Sequence, residues 1–103
     1  MTTRNLRAKD VLKDILGYVS FGEMLLSMRQ GLEYTQVQFA EKLDISKQDL
    51  CNIEKGRKLV SVERAASFAK SLRMSKKVFA KYALQDQLKK AGIKGTVKIE
   101  DAA

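Results

Sequence analysis

Apolar residues recur along this chain at three- and four-residue intervals, in short runs broken by Ser, Thr, Asp and Gly. Val11, Leu12, Ile15 and Leu16 share one stripe and predict a helix over Ala8–Leu16, with Gly17 as its stop. Ser20 opens a second helix. Glu23 follows three residues on, so the pair fits a capping box, each side chain covering a free backbone amide. Phe21, Met24, Leu25 and Met28 form its apolar face, and Gly31 ends it. Thr35 and Gln38 make the next box, for a helix to about Leu43 with Phe39, Ala40 and Leu43 inward. Asp44 occupies the turn, where Asp tolerates a left-handed backbone better than most residues. Ser46 starts the following helix with Asp49 at its third position. Leu50 and Ile53 point inward and Gly56 closes it.

Arg57 to Val60 reads as a loop. Ser61 caps a helix over Val62–Leu72 with Val62, Ala65, Ala66, Phe68, Ala69 and Leu72 as its apolar set. Ser75 caps the last, Lys76–Ala91, stopped by Gly92. This helix has two apolar arcs: Val78, Phe79, Tyr82 and Ala83 on one, Leu84, Leu88 and Ala91 on another. Gly95 to Glu100 alternates with period two, a strand-like pattern. The expectation is one all-α domain over residues 1–103, a compact bundle of five to six helices with a short C-terminal strand as the added element. Residues 20–72 would be its helix-turn-helix core, and residues 73–103 a dimerisation element.

Composition narrows the function. At 103 residues, 45% hydrophobic and 31% charged, the chain is long enough for one core. No apolar run approaches the roughly 20 residues of a membrane span. The start, MTTRNLRAKD, lacks the apolar centre of a signal peptide, and a reducing, cytoplasmic setting is expected. One Cys and no His exclude a disulfide framework and most zinc sites. With no His, no glycine-rich phosphate loop and no metal-ligand spacing, no catalytic residue, metal or cofactor is expected. The net charge of +8 is compatible with a nucleic-acid partner. However, residues 70–103 carry 9 basic and 3 acidic groups, or +6 of the total. Charge alone therefore points away from the Thr35–Gly56 segment.

That segment carries the chemistry. An α-helix fits the major groove of duplex DNA, where each base pair shows its own donor and acceptor pattern. Ser46, Lys47, Gln48, Asp49 and Asn52 supply short polar or basic side chains suited to base edges. Thr35 and Gln36 stand at the start of the preceding helix, where phosphate is favoured. Lys55, Arg57 and Lys58 follow the reading helix as candidates to clamp the backbone. The competing account is that all of these are solvated faces of ordinary helices.

The stretch FGEMLLSMRQGLEYTQVQFAEKLDISKQDLCNIEKGRK, followed by SVERAASFAKSL, resembles the helix-turn-helix domain of the phage Cro and repressor family, also called the xenobiotic-response-element type. The spacing TQ-x-x-FA-x-KL-x-IS-x-x-x-L-x-x-IE-x-G carries the likeness over residues 20–72, about half the chain. The resemblance implies that Gln36 touches phosphate and that Lys47, Gln48 and Asn52 contact bases. It also implies an internal salt bridge between Arg29 and Glu54, which would set the angle of the reading helix; two separate surface charges are the alternative. There are two departures. Asp44 stands where the family often has glycine, implying a reshaped turn, and Val60 where it often has proline, implying a less rigid loop. The flanks, including ALQDQLKKAGIKGTVKIE, resemble those of small bacterial regulators, some encoded beside toxins.

Three expectations follow for partners. Two reading helices one DNA turn apart engage an inverted repeat, so a homodimer is expected, with Leu84, Leu88, Ala91, Val97 and Ile99 at its interface. The alternative folds the last helix and tail back on the N-terminal helix. The expected function is a DNA-binding repressor; the alternative is an antitoxin that binds a protein toxin and regulates its own operon. The pI of 9.8 argues against the simplest antitoxin, since many toxins are basic. Cys51 is either a redox sensor or a partly buried thiol. No second Cys could resolve an oxidised sulfur, and Asp49 and Glu54 nearby do not favour a thiolate.

Overall fold

The computed structural model describes residues 19–100, so the helix expected over Ala8–Leu16 lies outside the described residues. Five helices follow in order: α1 Phe21–Gly31, α2 Gln36–Leu43, α3 Lys47–Glu54, α4 Val62–Leu72 and α5 Lys76–Lys90. One device starts them all. Ser20, Thr35, Ser46, Ser61 and Ser75 each accept a hydrogen bond from the amide three residues on. Each thereby satisfies one of the amides a helix start leaves without an intrahelical partner. The boxes at Ser20–Glu23 and Thr35–Gln38 are closed in both directions. At α3 only the Ser46 half forms, because the Asp49 carboxylate is engaged elsewhere.

Asp44 takes the left-handed conformation, φ 59° and ψ 46°, so the α2–α3 turn keeps its geometry without glycine. Arg73 does the same after α4, at φ 56°, a turn that no residue type announced.

The helices enclose one core. α4 and α5 pack most extensively on each other, α1 lies against α3 and α5, and α2 against α3 and α4. Phe21 is its hub: its ring meets Phe79 edge-on at 5.8 Å and Phe68 at 6.4 Å. Leu25, Phe39, Leu50, Ile53 and Ala65 are buried around it.

Three sequence expectations are corrected. Val78 does not join the inner arc of α5 but stands 47% exposed. The buried stripe is Phe79, Ala83 and Asp86, at i, i+4 and i+7. Asp86 belongs there because its Oδ2 accepts the Phe21 N–H at 3.1 Å, adding a second cap to α1 from across the fold. A search for apolar arcs passes over a carboxylate. The second correction is a small one: α5 ends at Lys90, leaving Ala91 as its cap.

The third concerns the tail. No strand forms among the described residues, and 95–100 is irregular. Period-two alternation reports two faces, but a strand also needs a neighbour. Here one side chain stands in for it. Gln85 Nε2 donates to the Gly95 carbonyl at 2.7 Å, and the Val97 N–H donates to Gln85 Oε1 at 2.8 Å.

Gly22 fixes how close α1 lies to α3. A Cβ there would sit 2.0 Å from the Ile53 carbonyl oxygen and 3.2 Å from that of Glu54. Both atoms are backbone, so neither yields without moving the end of α3. Gly22→Ala is expected to destabilise the fold by about 1–3 kcal/mol, as overpacking does. Helix propensity alone predicts a small gain of about 0.5–1 kcal/mol, so the sign of the shift in denaturant unfolding distinguishes the two.

Candidate nucleic-acid interface

The outward surface of α3 follows from which residues the core takes. Leu50, Ile53 and Glu54 are buried. At roughly 100° per residue, the opposite side of the helix falls to Gln48, Asn52 and Lys55, with Cys51 on one flank and Asp49 on the other, while Lys47 in the first turn lies further round, toward the side of Glu54. Ser46, Lys47 and Gln48 are exposed, while Asn52 and Cys51 are half-buried. Gln48 and Asn52 are coupled across one helical turn: Gln48 Nε2 donates to Asn52 Oδ1 at 3.3 Å. Arg57 Nη1 reaches the same oxygen at 3.4 Å. The stripe therefore presents two amides held in register by their own contact, with Lys55 beyond them.

Beneath this stripe lies a buried carboxylate. Glu54, with its side chain 3% exposed, is gripped by two side chains. Arg29 donates through Nε to Oε2 at 2.7 Å and through Nη2 to Oε1 at 3.3 Å. Gln36 Nε2 adds a bond to Oε1 at 2.9 Å. Arg29 also donates from Nη1 to the Tyr34 carbonyl at 3.1 Å, tying in the α1–α2 connection. One carboxylate thus joins α1, α2 and α3. The family resemblance implied a pair between Arg29 and Glu54, and the structure brings them together. The sequence assigned the Gln36 amide to phosphate, whereas here that amide is turned inward to Glu54.

Asp49 lies off the outward stripe, on the flank facing α4. Lys58 Nζ bonds its Oδ1 at 2.6 Å, and Arg64 Nη2 bonds its Oδ2. The hydrogen bond from Lys58 comes first in holding the Asp49 carboxyl below its ordinary pKa, against a smaller opposing effect of burial, with Arg64 adding to the lowering. A carboxyl whose pKa falls on folding stabilises the fold above its unfolded value, about 3.9. That contribution disappears as pH drops through the lowered folded value. Arg64 was missed in the sequence. The signal was available: a cation in the first turn of α4 opposes the helix dipole and calls for a carboxylate. Its guanidinium also lies 5.4 Å from the centre of the Phe68 ring.

The remaining assigned residues sit as follows. Thr35 caps α2 from an exposed position. Lys55, Arg57 and Lys58 are exposed after α3. Leu84, Leu88 and Val97 are half-buried, and Ala91 and Ile99 are exposed.

A helix-turn-helix family model matches residues 25–79, more than half of the chain and all of α2, α3 and α4. The chain belongs to the helix-turn-helix family of the phage Cro and repressor type. No curated protein sequence and no solved structure gives a significant match. Membership makes this a DNA-binding regulatory domain, with α2 and α3 as the motif helices and α3 as the second of them. Among the described residues, no helix is long and apolar enough to cross a membrane. The matched segment stops at Phe79, within α5, so the two-faced part of that helix and the tail fastened by Gln85 lie beyond it.

Because Glu54 is buried, removing its partner leaves a charge without compensation. Arg29→Ala is expected to cost about 3–5 kcal/mol in denaturant unfolding. A change below about 1 kcal/mol would show that the pair is only a surface contact.

Proposed function

We propose that this protein is a sequence-specific transcriptional regulator, a cytoplasmic repressor that binds an inverted-repeat operator in double-stranded DNA as a homodimer. The observation that carries the reading is the outward stripe of α3, set on a helix whose angle is braced by Arg29, Gln36 and Glu54. Gln48 and Asn52 present amides of the kind that pair with adenine, and Lys47 is long enough to reach guanine. Ser46 flanks them at the end that enters the groove first. Gln36 gives one Nε2 N–H to Glu54, so its second N–H and the first-turn amides of α2 beside Thr35 are the groups that meet phosphate there. Lys55 and Arg57 continue the phosphate contacts beyond α3. Repression follows from occupancy: a protein seated on the operator excludes polymerase.

The dimer supplies the second half-site reader. Leu84 and Leu88 lie on the part of α5 that does not face the core, and Gln85 fastens Val97 alongside them. Together with Ala91 and Ile99 they are the residues assigned to the contact with a second copy of this chain.

Two measurements test the reading. In selection from random duplexes, Gln48→Ala should change the preferred base at a fixed position in each half-site. Lys55→Ala should instead weaken all duplexes alike and reduce the salt slope by about 0.9. Identical effects of the two would remove the division between reading and clamping residues. Sedimentation at micromolar concentration should give twice the 11.6 kDa of one chain, and Leu88→Glu should return it to one. A wild-type species at 11.6 kDa would rule out the dimer.

A further inference from the structure

Asp49 has the wrong surroundings for a residue that reads bases. Its side chain is 15% exposed, and each carboxylate oxygen already holds a cation, Lys58 on one and Arg64 on the other. In the first turn of α3 its negative charge is favoured by the helix dipole, whereas Arg64, in the first turn of α4, is placed against its own dipole. Arg64 is therefore held by Asp49 and by the Phe68 ring rather than by its helix. Both cations stand beside the surface assigned to DNA, Lys58 48% exposed and Arg64 31%.

We propose that Asp49 is an internal counter-ion that competes with DNA phosphate for Lys58 and Arg64, and so limits how tightly this chain binds duplex regardless of sequence. The proposal rests on the DNA-binding reading above. A carboxylate and a phosphate offer the same charged oxygens to an ammonium or a guanidinium. Sequence-independent binding comes almost wholly from cations meeting phosphates. Two cations engaged by a carboxylate contribute little to it until docking is close enough for phosphate to displace Asp49. A pair with a half-exposed lysine is weak enough to be displaced. Asp49 thus lowers binding to random duplex more than binding to the operator, which makes it a specificity-determining residue without touching a base.

Asp49→Asn tests this, since it keeps the size of the side chain and the backbone amide that donates to Ser46 Oγ at 3.0 Å. Affinity for a random duplex should rise about ten-fold at low salt, and the slope of log K against log salt should steepen by about 0.9 for each released cation. The bases preferred in a selected site should not change. Asp49→Ala, which removes the same charge, should repeat the effect. Adding Lys58→Ala to Asp49→Asn should return about 0.9 of slope, more than Lys58→Ala removes from the wild type. A change of preferred base at one position would overturn the proposal and make Asp49 a reader. Uniform weakening with a shallower slope would also overturn it, showing that Asp49 places the two cations for use. An unchanged slope overturns the counter-ion role alone, whereas a wild-type chain that binds no duplex at any salt overturns the DNA-binding reading with it.

Discussion

The buried carboxylate of Glu54, rather than that of Asp86, sets how α1, α2 and α3 meet. Glu54 ends α3 and carries its charge under the surface, where it is tolerable only if every oxygen is matched. Arg29 from α1 and Gln36 from α2 meet that demand. The result is a three-way tie that leaves α3 little freedom to roll or tilt against its neighbours. Gly22 enforces the same alignment by a different means, bringing the α1 backbone against the Ile53 carbonyl. The charge contributes definition more than stability, since desolvation offsets much of the attraction. The proposed reading role depends on that definition, since a displacement of the α3 axis would change which side chains reach which base edges.

That arrangement explains why local sequence was so informative here. Helix starts depend on side chains that act within three residues, so the Ser and Thr caps marked α1 to α5 with boundaries close to those observed. The inward residues of α1 to α4 were equally legible, because a helix in one core shows one apolar stripe. What escaped notice was long-range and polar. Asp86 caps a helix that starts 65 residues earlier, and no local pattern encodes that distance. Arg64 and Asp49 are 15 residues apart, on different helices. The tail failed for a related reason: the alternation over 95–100 was real, but pairing depends on a partner strand, and a glutamine side chain occupies that place instead.

The division of charge now has a physical shape. Most of the +8 lies in the C-terminal third, while the α3 region is nearly balanced. Within that balance the acids are not idle. Glu54 orients the helix, and Asp49 holds two of the basic groups on its flank. Two of the six basic groups in residues 35–69, Lys58 and Arg64, are thus engaged by a carboxylate of the chain itself. Much of the remaining positive charge lies on the more basic α5 and tail, which run beyond the matched helix-turn-helix segment.

The most direct test follows individual residues by NMR as a duplex selected by the protein is added. Base reading by α3 predicts the largest changes in the side-chain amides of Gln48 and Asn52 and in the backbone amides of residues 35–36 and 46–48. Residues 76–98 should change less. Shifts centred on the basic C-terminal third, with the Gln48 and Asn52 amides unmoved, would contradict the account and leave charge, rather than the braced helix, as the basis of recognition.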